Sequence, residues 1–129
     1  MNDALLFAWA WILAGLLSGV ALGAGFARPE WLGGYGSWTR RLLRLGHVSF
    51  VATGLLVLAA AATATRIPNA GGPWVLRLLV AGAVAMPACC ALAAFVPRLR
   101  FLFALPVAAL TGGSGLLVVQ LADLAGPTV

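Results

Sequence analysis

The residues best suited to chemistry lie in the second and third of four apolar stretches. His47 is the single histidine of the chain, and Met86 and Cys90 lie in the next apolar stretch. Imidazole, thioether and thiolate groups bind copper(I), and the same groups ligate haem iron. These three residues are therefore candidate cofactor ligands, with haem or copper as the cofactor. A haem held by two imidazoles would need a second subunit.

The same residues have a plainer interpretation as packing residues. Free Cys and Met behave as small or flexible apolar side chains, and a neutral imidazole near the membrane surface can bond a backbone carbonyl or a lipid headgroup. Cys89 and Cys90 are consecutive, so on a helix they point about 100° apart and do not chelate one metal easily. We favour this interpretation and expect no cofactor, and we keep haem or copper as the alternative.

A serine motif lies in the fourth apolar stretch. Gly112-Gly113-Ser114-Gly115 resembles the G-x-S-G pattern of rhomboid intramembrane proteases, which pair the serine with a histidine. The resemblance covers four residues, and residue counts at 1.5 Å per residue separate Ser114 from His47 by about 10 Å in membrane depth. A base and a nucleophile must lie within hydrogen-bond reach. With no paired carboxylates, Walker loop or C-x-x-C motif in the sequence, we expect no catalytic residues and no enzyme.

Composition identifies the elements that position these residues. The 129-residue chain is 63% hydrophobic and 9% charged, whereas soluble domains carry roughly 25% charged residues. A helix needs about 20 apolar residues to cross a bilayer, and strand-like alternation is absent. The sequence predicts an all-α membrane protein, a four-transmembrane-helix bundle in one domain over residues 1–129. The predicted spans are Ala4–Phe26, Leu42–Ala64, Trp74–Val96 and Phe101–Leu124.

The arginines predict the orientation of these spans. The net charge of +5 comes from eight basic residues, all arginine, and they flank spans, so we expect no nucleic-acid partner. Cytoplasmic loops hold the excess of basic residues. This rule predicts an up-down topology with both termini outside. The absence of Lys, with abundant Ala and Gly, is typical of a GC-rich bacterial genome, so we expect a multi-pass protein of the inner membrane. Six arginines in and beside the first and third links (28, 40, 41, 44, 98 and 100) oppose two near the second (66 and 77).

The first link, residues 28–38, is the longest polar segment. Its aromatic rings are typical of a membrane interface, and Ser37 or Thr39 is placed to cap the second span. Positive charge at a helix N-terminus opposes the helix dipole. We therefore expect compensation by anionic lipid of the inner leaflet, by Glu30 or by a partner. The predicted lipid-interface residues are Trp31, Tyr35, Trp38, Arg40, Arg41 and Arg44.

The first span carries small residues at helical spacing. Gly15, Gly19 and Gly23 are four residues apart, and such spacing lets membrane helices approach closely. We predict that this stripe packs against a neighbouring helix, of this chain or of another copy. With no reactive constellation in the sequence, the leading prediction is a non-catalytic integral membrane subunit or assembly factor. It would act through helix packing with itself or with other membrane subunits.

A transporter or channel is a further alternative. The length and the four spans resemble the small multidrug resistance transporters, which couple protons to substrate through a glutamate in their first helix. Here the first span holds no carboxylate, and Glu30 falls in the link. That departure removes the coupling residue of the family. A transporter or channel would need a water-accessible path near Pro87 or at residues 112–115.

Overall fold

The computed structural model of the chain describes residues 2–67 and 70–126, and these residues contain helices and no strand. Four of the helices are long and apolar enough to cross a membrane. This confirms the prediction of an all-α chain with four apolar helices and supports a multi-pass membrane protein. The helices are α1 (Asn2–Phe26), α2 (Trp38–Arg66), α3 (Pro73–Phe95) and α4 (Ala104–Ala125).

The helix boundaries follow from local chemistry. Helix α2 begins four residues before the predicted span because Ser37 caps it, its side chain accepting a hydrogen bond from the backbone N–H of Arg40. Helix α4 begins three residues after the predicted span because Pro97–Phe103 forms a 3₁₀ segment first. Pro87 lies inside α3 without ending it, and residues 112–115 continue α4 as regular helix.

Helices α1 and α2 pack along a line of glycines. A Cβ at Gly15 would lie 2.8 Å from Phe50 Cβ, and a Cβ at Gly54 would lie 2.7 Å from Ile12 Cγ1. At Gly19 the neighbour on α2 is the ring of His47. Residue numbers fall along α1 as they rise along α2, so the two helices run antiparallel.

Helix α3 packs between α2 and α4. A Cβ at Gly46 of α2 would lie 3.1 Å from Cys90 Cβ, and Val57, Val75 and Leu79 are fully buried between the helices. On the other side of α3, a Cβ at Gly82 would lie 2.6 Å from Leu110 Cγ of α4. The central core of the molecule therefore forms around α2 and α3.

The outer two helices are much less covered than the inner two. The extensive contacts join helices that are neighbours in sequence: α1 with α2, α2 with α3, and α3 with α4. Within an apolar 18-residue stretch of each span, 33% of the residues are buried in α2 and 44% in α3, against 11% in α1 and 11% in the span that contains α4. Helices α1 and α4 therefore present most of their surface to whatever surrounds the chain.

Candidate functional site

The imidazole of His47 is held against α1 by its Nδ1 atom. Gly19 leaves the space for the ring, since a Cβ there would lie 2.5 Å from His47 Cε1. Nδ1 lies 2.8 Å from the carbonyl oxygen of Gly15. The Ser18 hydroxyl donates to the same carbonyl at 2.7 Å and lies 3.1 Å from Nδ1. A carbonyl oxygen can only accept, so Nδ1 carries the proton and a neutral ring keeps a lone pair on Nε2.

Beside this ring lies a cavity of about 290 Å³. Three helices and the first link bound it, and its walls are apolar apart from His47 and Ser18. Pro87 contributes to this cavity, whereas residues 112–115 do not. The cavity is lined by Ser18, Ala21, Leu22, Trp31, Leu43, Gly46, His47, Phe50, Pro87 and Ala91.

The other two predicted cofactor ligands lie outside this cavity. Cys90 is fully buried and faces Gly46 at the contact between α2 and α3. Met86 precedes Pro87 on α3 but is not among the cavity-lining residues. Among the described residues no three His, Cys, Asp or Glu side chains come together as metal ligands. Of the three predicted ligands, His47 therefore is the one that lines this cavity.

Trp31 reaches the cavity because the first link folds back over the end of α1. Leu32, Gly33 and Gly34 take φ values of 56°, 82° and 88°, a left-handed run that glycine adopts readily and leucine does not. Ser37 holds this turn, donating from its hydroxyl to the Leu32 carbonyl at 2.6 Å. The Trp31 ring then lies over Gly25, where a Cβ would come within 2.7 Å of it.

The predicted interface arginines divide into buried and exposed positions. Arg40 is 3% exposed, with its guanidinium carbon 4.5 Å from the centre of the Phe26 ring and 5.2 Å from that of Tyr35. Its Nη1 donates to the Pro29 carbonyl at 3.4 Å. Arg40 is therefore packed at the C-terminal end of α1, where the helix dipole favours a cation, rather than at the lipid surface.

Arg41 and Arg44 lie further out. The Arg44 guanidinium carbon is 4.8 Å from the Tyr35 ring centre, and its Nη2 donates to the Tyr35 carbonyl at 3.5 Å. Arg41 is exposed, as are Tyr35 and Trp38. Trp38 nevertheless donates from Nε1 to the Ala93 carbonyl at 2.9 Å, which ties the start of α2 to the end of α3. Part of the expected charge compensation thus comes from aromatic faces and backbone carbonyls.

The predicted glycine stripe also divides, into positions that contact another helix and a position that does not. Gly15 and Gly19 face α2, but a Cβ at Gly23 would meet no atom of the described chain within 4 Å. At the α3–α4 contact, Gly82 admits Leu110 and Gly113 admits Leu79, and sequence reasoning missed Gly82. The Gly-Gly-Ser-Gly motif contains one of them, so helix packing accounts for Gly113. Ser114 lies on α4, which makes no extensive contact with the helix of His47.

Comparison with known proteins gave no match. Neither protein-family models, nor curated proteins, nor solved structures match this chain. Interpretation of the site therefore depends on its own geometry and chemistry.

Proposed function

We propose that the chain is a non-catalytic membrane subunit or assembly factor whose helix α4 packs against a helix of another membrane subunit or of a second copy. The supporting observation is the outward face of α4. Small residues occupy this face, and all of them are exposed: Ala104, Ala108, Thr111 and Gly115.

The position of these four residues on α4 is what favours a partner. At 100° per residue they fall within a sector of about 60°. That sector lies opposite the face on which Pro106 and Gly113 are buried against the rest of the chain. Small residues let helix backbones approach closely, and membrane helices associate largely through such packing. A Cβ at Gly115 would meet no atom of another described helix within 4 Å, so this face is open to a partner helix.

The outward face of α1 provides the contrast. Large aliphatic side chains cover it, and Leu13, Leu17 and Val20 are 56%, 61% and 73% exposed. Such side chains pack well against lipid tails and give another helix no close approach. Of the two outer helices, α4 is therefore the better docking surface and α1 the better lipid-facing one.

The proposed orientation is an up-down topology with both termini outside the inner membrane and the first and third links in the cytoplasm. In support, Trp38 and Thr39 hydrogen-bond the carbonyls of Ala93 and Ala94. These bonds bring the arginine-rich first and third links to one end of the molecule. Exposed Arg41 and partly exposed Arg44 would meet anionic lipid headgroups of the inner leaflet there.

Two glycines on opposite outer helices allow a matched test. Neither Gly115 nor Gly23 has an atom of the described chain within 4 Å of its Cβ position. We expect Gly115→Leu to lower recovery of a partner, or of a second copy, by about tenfold after cross-linking in native membranes and purification in a mild detergent. Gly23→Leu should leave recovery unchanged. A wild-type chain recovered only as a lone monomer, or equal losses in the two variants, would contradict the proposal.

A haem- or copper-binding redox subunit is the second candidate. The observation that favours it is the bond from His47 Nδ1 to the Gly15 carbonyl, because metal-ligating histidines usually donate their other ring N–H to such a group. The remaining ligands would come from a partner. A Soret band or stoichiometric copper in freshly purified protein, lost in His47→Ala, would support it. A colourless, metal-free protein would argue against it.

A further inference from the structure

The Nε2 atom of His47 is a hydrogen-bond acceptor without a partner among the described residues. The hydrogen bonds that the ring makes to described residues all involve Nδ1. Among the described side chains, the fully buried nitrogens that lack a partner are Trp11 Nε1 and Arg40 Nε, so Nε2 is not sealed inside the protein. Since Nδ1 holds the proton, Nε2 of the neutral ring can bond only a group that donates.

The cavity beside this ring has the chemistry of a site for an apolar molecule. Trp31 and Phe50 supply aromatic walls, and the exposed Ala21 and Ala91 lie at its edge on α1 and α3. Both alanines belong to helices apolar enough to cross a membrane, so in a bilayer an opening beside them would face lipid. The cavity volume of about 290 Å³ is at the lower end for small-molecule sites, roughly 300–1,000 Å³. It therefore fits a single ring headgroup with a tail left in the bilayer.

We infer that this cavity binds the hydroxyl-bearing headgroup of a membrane-soluble hydroquinone, with the hydroxyl donating to Nε2 of His47. A planar ring matches the aromatic walls, since aromatic pairs gain from offset or edge-to-face contact. A phenolic hydroxyl is the donor that Nε2 requires. The inference is independent of any packing on α4.

Selectivity between redox forms follows from the same geometry. A quinone presents carbonyl oxygens, which only accept, so it cannot bond the unprotonated Nε2. An unmatched buried polar group costs about 1–3 kcal/mol. The reduced form is therefore expected to bind about 5- to 140-fold more tightly than the oxidised form. A sterol alcohol shares the hydroxyl and is the other possible source of this chemistry.

The single histidine allows a direct test. The full chain, carrying a purification tag without histidine, would be labelled with ¹⁵N-histidine and placed in lipid nanodiscs. Its two ring signals then belong to His47 alone. We expect a proton on Nδ1 and none on Nε2 in the free protein. Decyl-benzohydroquinone, kept reduced, should shift the Nε2 signal saturably, and decyl-benzoquinone should not.

Two alanines of α3 provide the matched variants. Ala91 lines the cavity, whereas Ala88 is also exposed but does not line it. Ala91→Phe should fill the cavity and weaken hydroquinone binding by about tenfold or more, and Ala88→Phe should leave it within about twofold. A shift with cholesterol alone would support the hydroxyl bond and assign its source to a membrane alcohol. A proton on Nε2 in the free protein, no shift with either hydroxyl compound, or equal binding of quinone and hydroquinone would overturn the inference.

Discussion

The α1–α2 and α3–α4 contacts use the same device with different partners. In each contact, a glycine on one helix leaves space for a side chain of the other helix, so the two helices approach closely. At the α3–α4 contact, Gly82 admits the side chain of Leu110. At the α1–α2 contact, Gly19 admits the imidazole of His47, which bonds the Gly15 carbonyl. The Gly82–Leu110 contact is apolar, whereas the Gly19–His47 contact places a polar ring between two apolar helices.

The difference separates packing from potential function. Membrane helices pack well with small and aliphatic residues alone, as Gly82 and Leu110 do. A polar side chain inside a membrane is costly and usually marks a functional position. The Gly15 carbonyl satisfies the hydrogen-bonding capacity of Nδ1, whereas Nε2 can still accept a hydrogen bond from a molecule in the cavity. His47 thus has a second hydrogen-bonding atom that the packing of α1 against α2 does not use.

The largest expected effect belongs to the apolar contact. Leu79 is fully buried and lies against Gly113. Leu79→Ala should lower the free energy of unfolding by about 2–5 kcal/mol, measured by steric trapping in bicelles, because it leaves a cavity in the core. Val84→Ala, at a position 44% exposed on the same helix, is the control and should cost much less.

The polar contact should respond less to loss of its side chain. His47→Leu keeps an apolar body but removes the bond to Gly15, and such bonds in membranes average about 0.6 kcal/mol. If this variant destabilised the chain as much as Leu79→Ala does, the main role of His47 would be packing. The contrast between the two contacts would then fail.

Added methyl groups should distinguish the two glycines. A Cβ at Gly19 would meet three ring atoms of His47, and the ring is held by its bond to Gly15. A Cβ at Gly82 would meet mainly the Leu110 side chain, which can rotate. Overpacking costs about 1–3 kcal/mol, and we expect Gly19→Ala at the upper end and Gly82→Ala at the lower end of this range in the same unfolding assay.

The controls for this pair are glycines in open space. A Cβ at Gly23 or Gly112 would meet nothing within 4 Å in the described chain, so alanine there should leave stability unchanged or slightly raised. In Gly19→Ala the ring must also turn from Gly15, which should alter the His47 ring signals; Gly82→Ala should not affect them. Unaltered ring signals in Gly19→Ala would show that the imidazole is not fixed as described.

The number of helices was predictable, but the faces they bury were not. Apolar length alone locates four spans, and Ser37 is a recognisable cap. In lipid, however, the buried and lipid-facing sides of a helix are both apolar, so hydrophobic periodicity, the usual guide to a buried face, is lost. The spacing therefore predicts the same role for Gly23 as for Gly19, although of these two glycines Gly19 alone lies against described residues of α2.

The site was predictable in part for a similar reason. His47 stands out in the sequence because it is the single histidine. Its hydrogen-bond partner, however, is a backbone carbonyl, and no pattern of side chains predicts such a partner. Met86 and Cys90 share the right chemistry without lining the cavity. The sequence alone does not distinguish the buried Arg40 from its neighbours Arg41 and Arg44, because the difference arises from the left-handed turn at Leu32. Burial of Arg40 depends on that fold of the link.

The smallest expected effect concerns Ser18 and tests which ring nitrogen of His47 carries the proton. The Ser18 hydroxyl lies 2.7 Å from the Gly15 carbonyl and 3.1 Å from Nδ1, so it could donate to either. Donation to Nδ1 would force the proton onto Nε2 and remove the acceptor that faces the cavity. The shorter distance favours the carbonyl. Ser18→Ala should therefore change stability by less than about 0.5 kcal/mol and leave the ¹⁵N signals of His47 in the Nδ1–H form. A switch of tautomer between wild type and Ser18→Ala would show that Ser18 is the donor, and the two contacts would then differ only in packing.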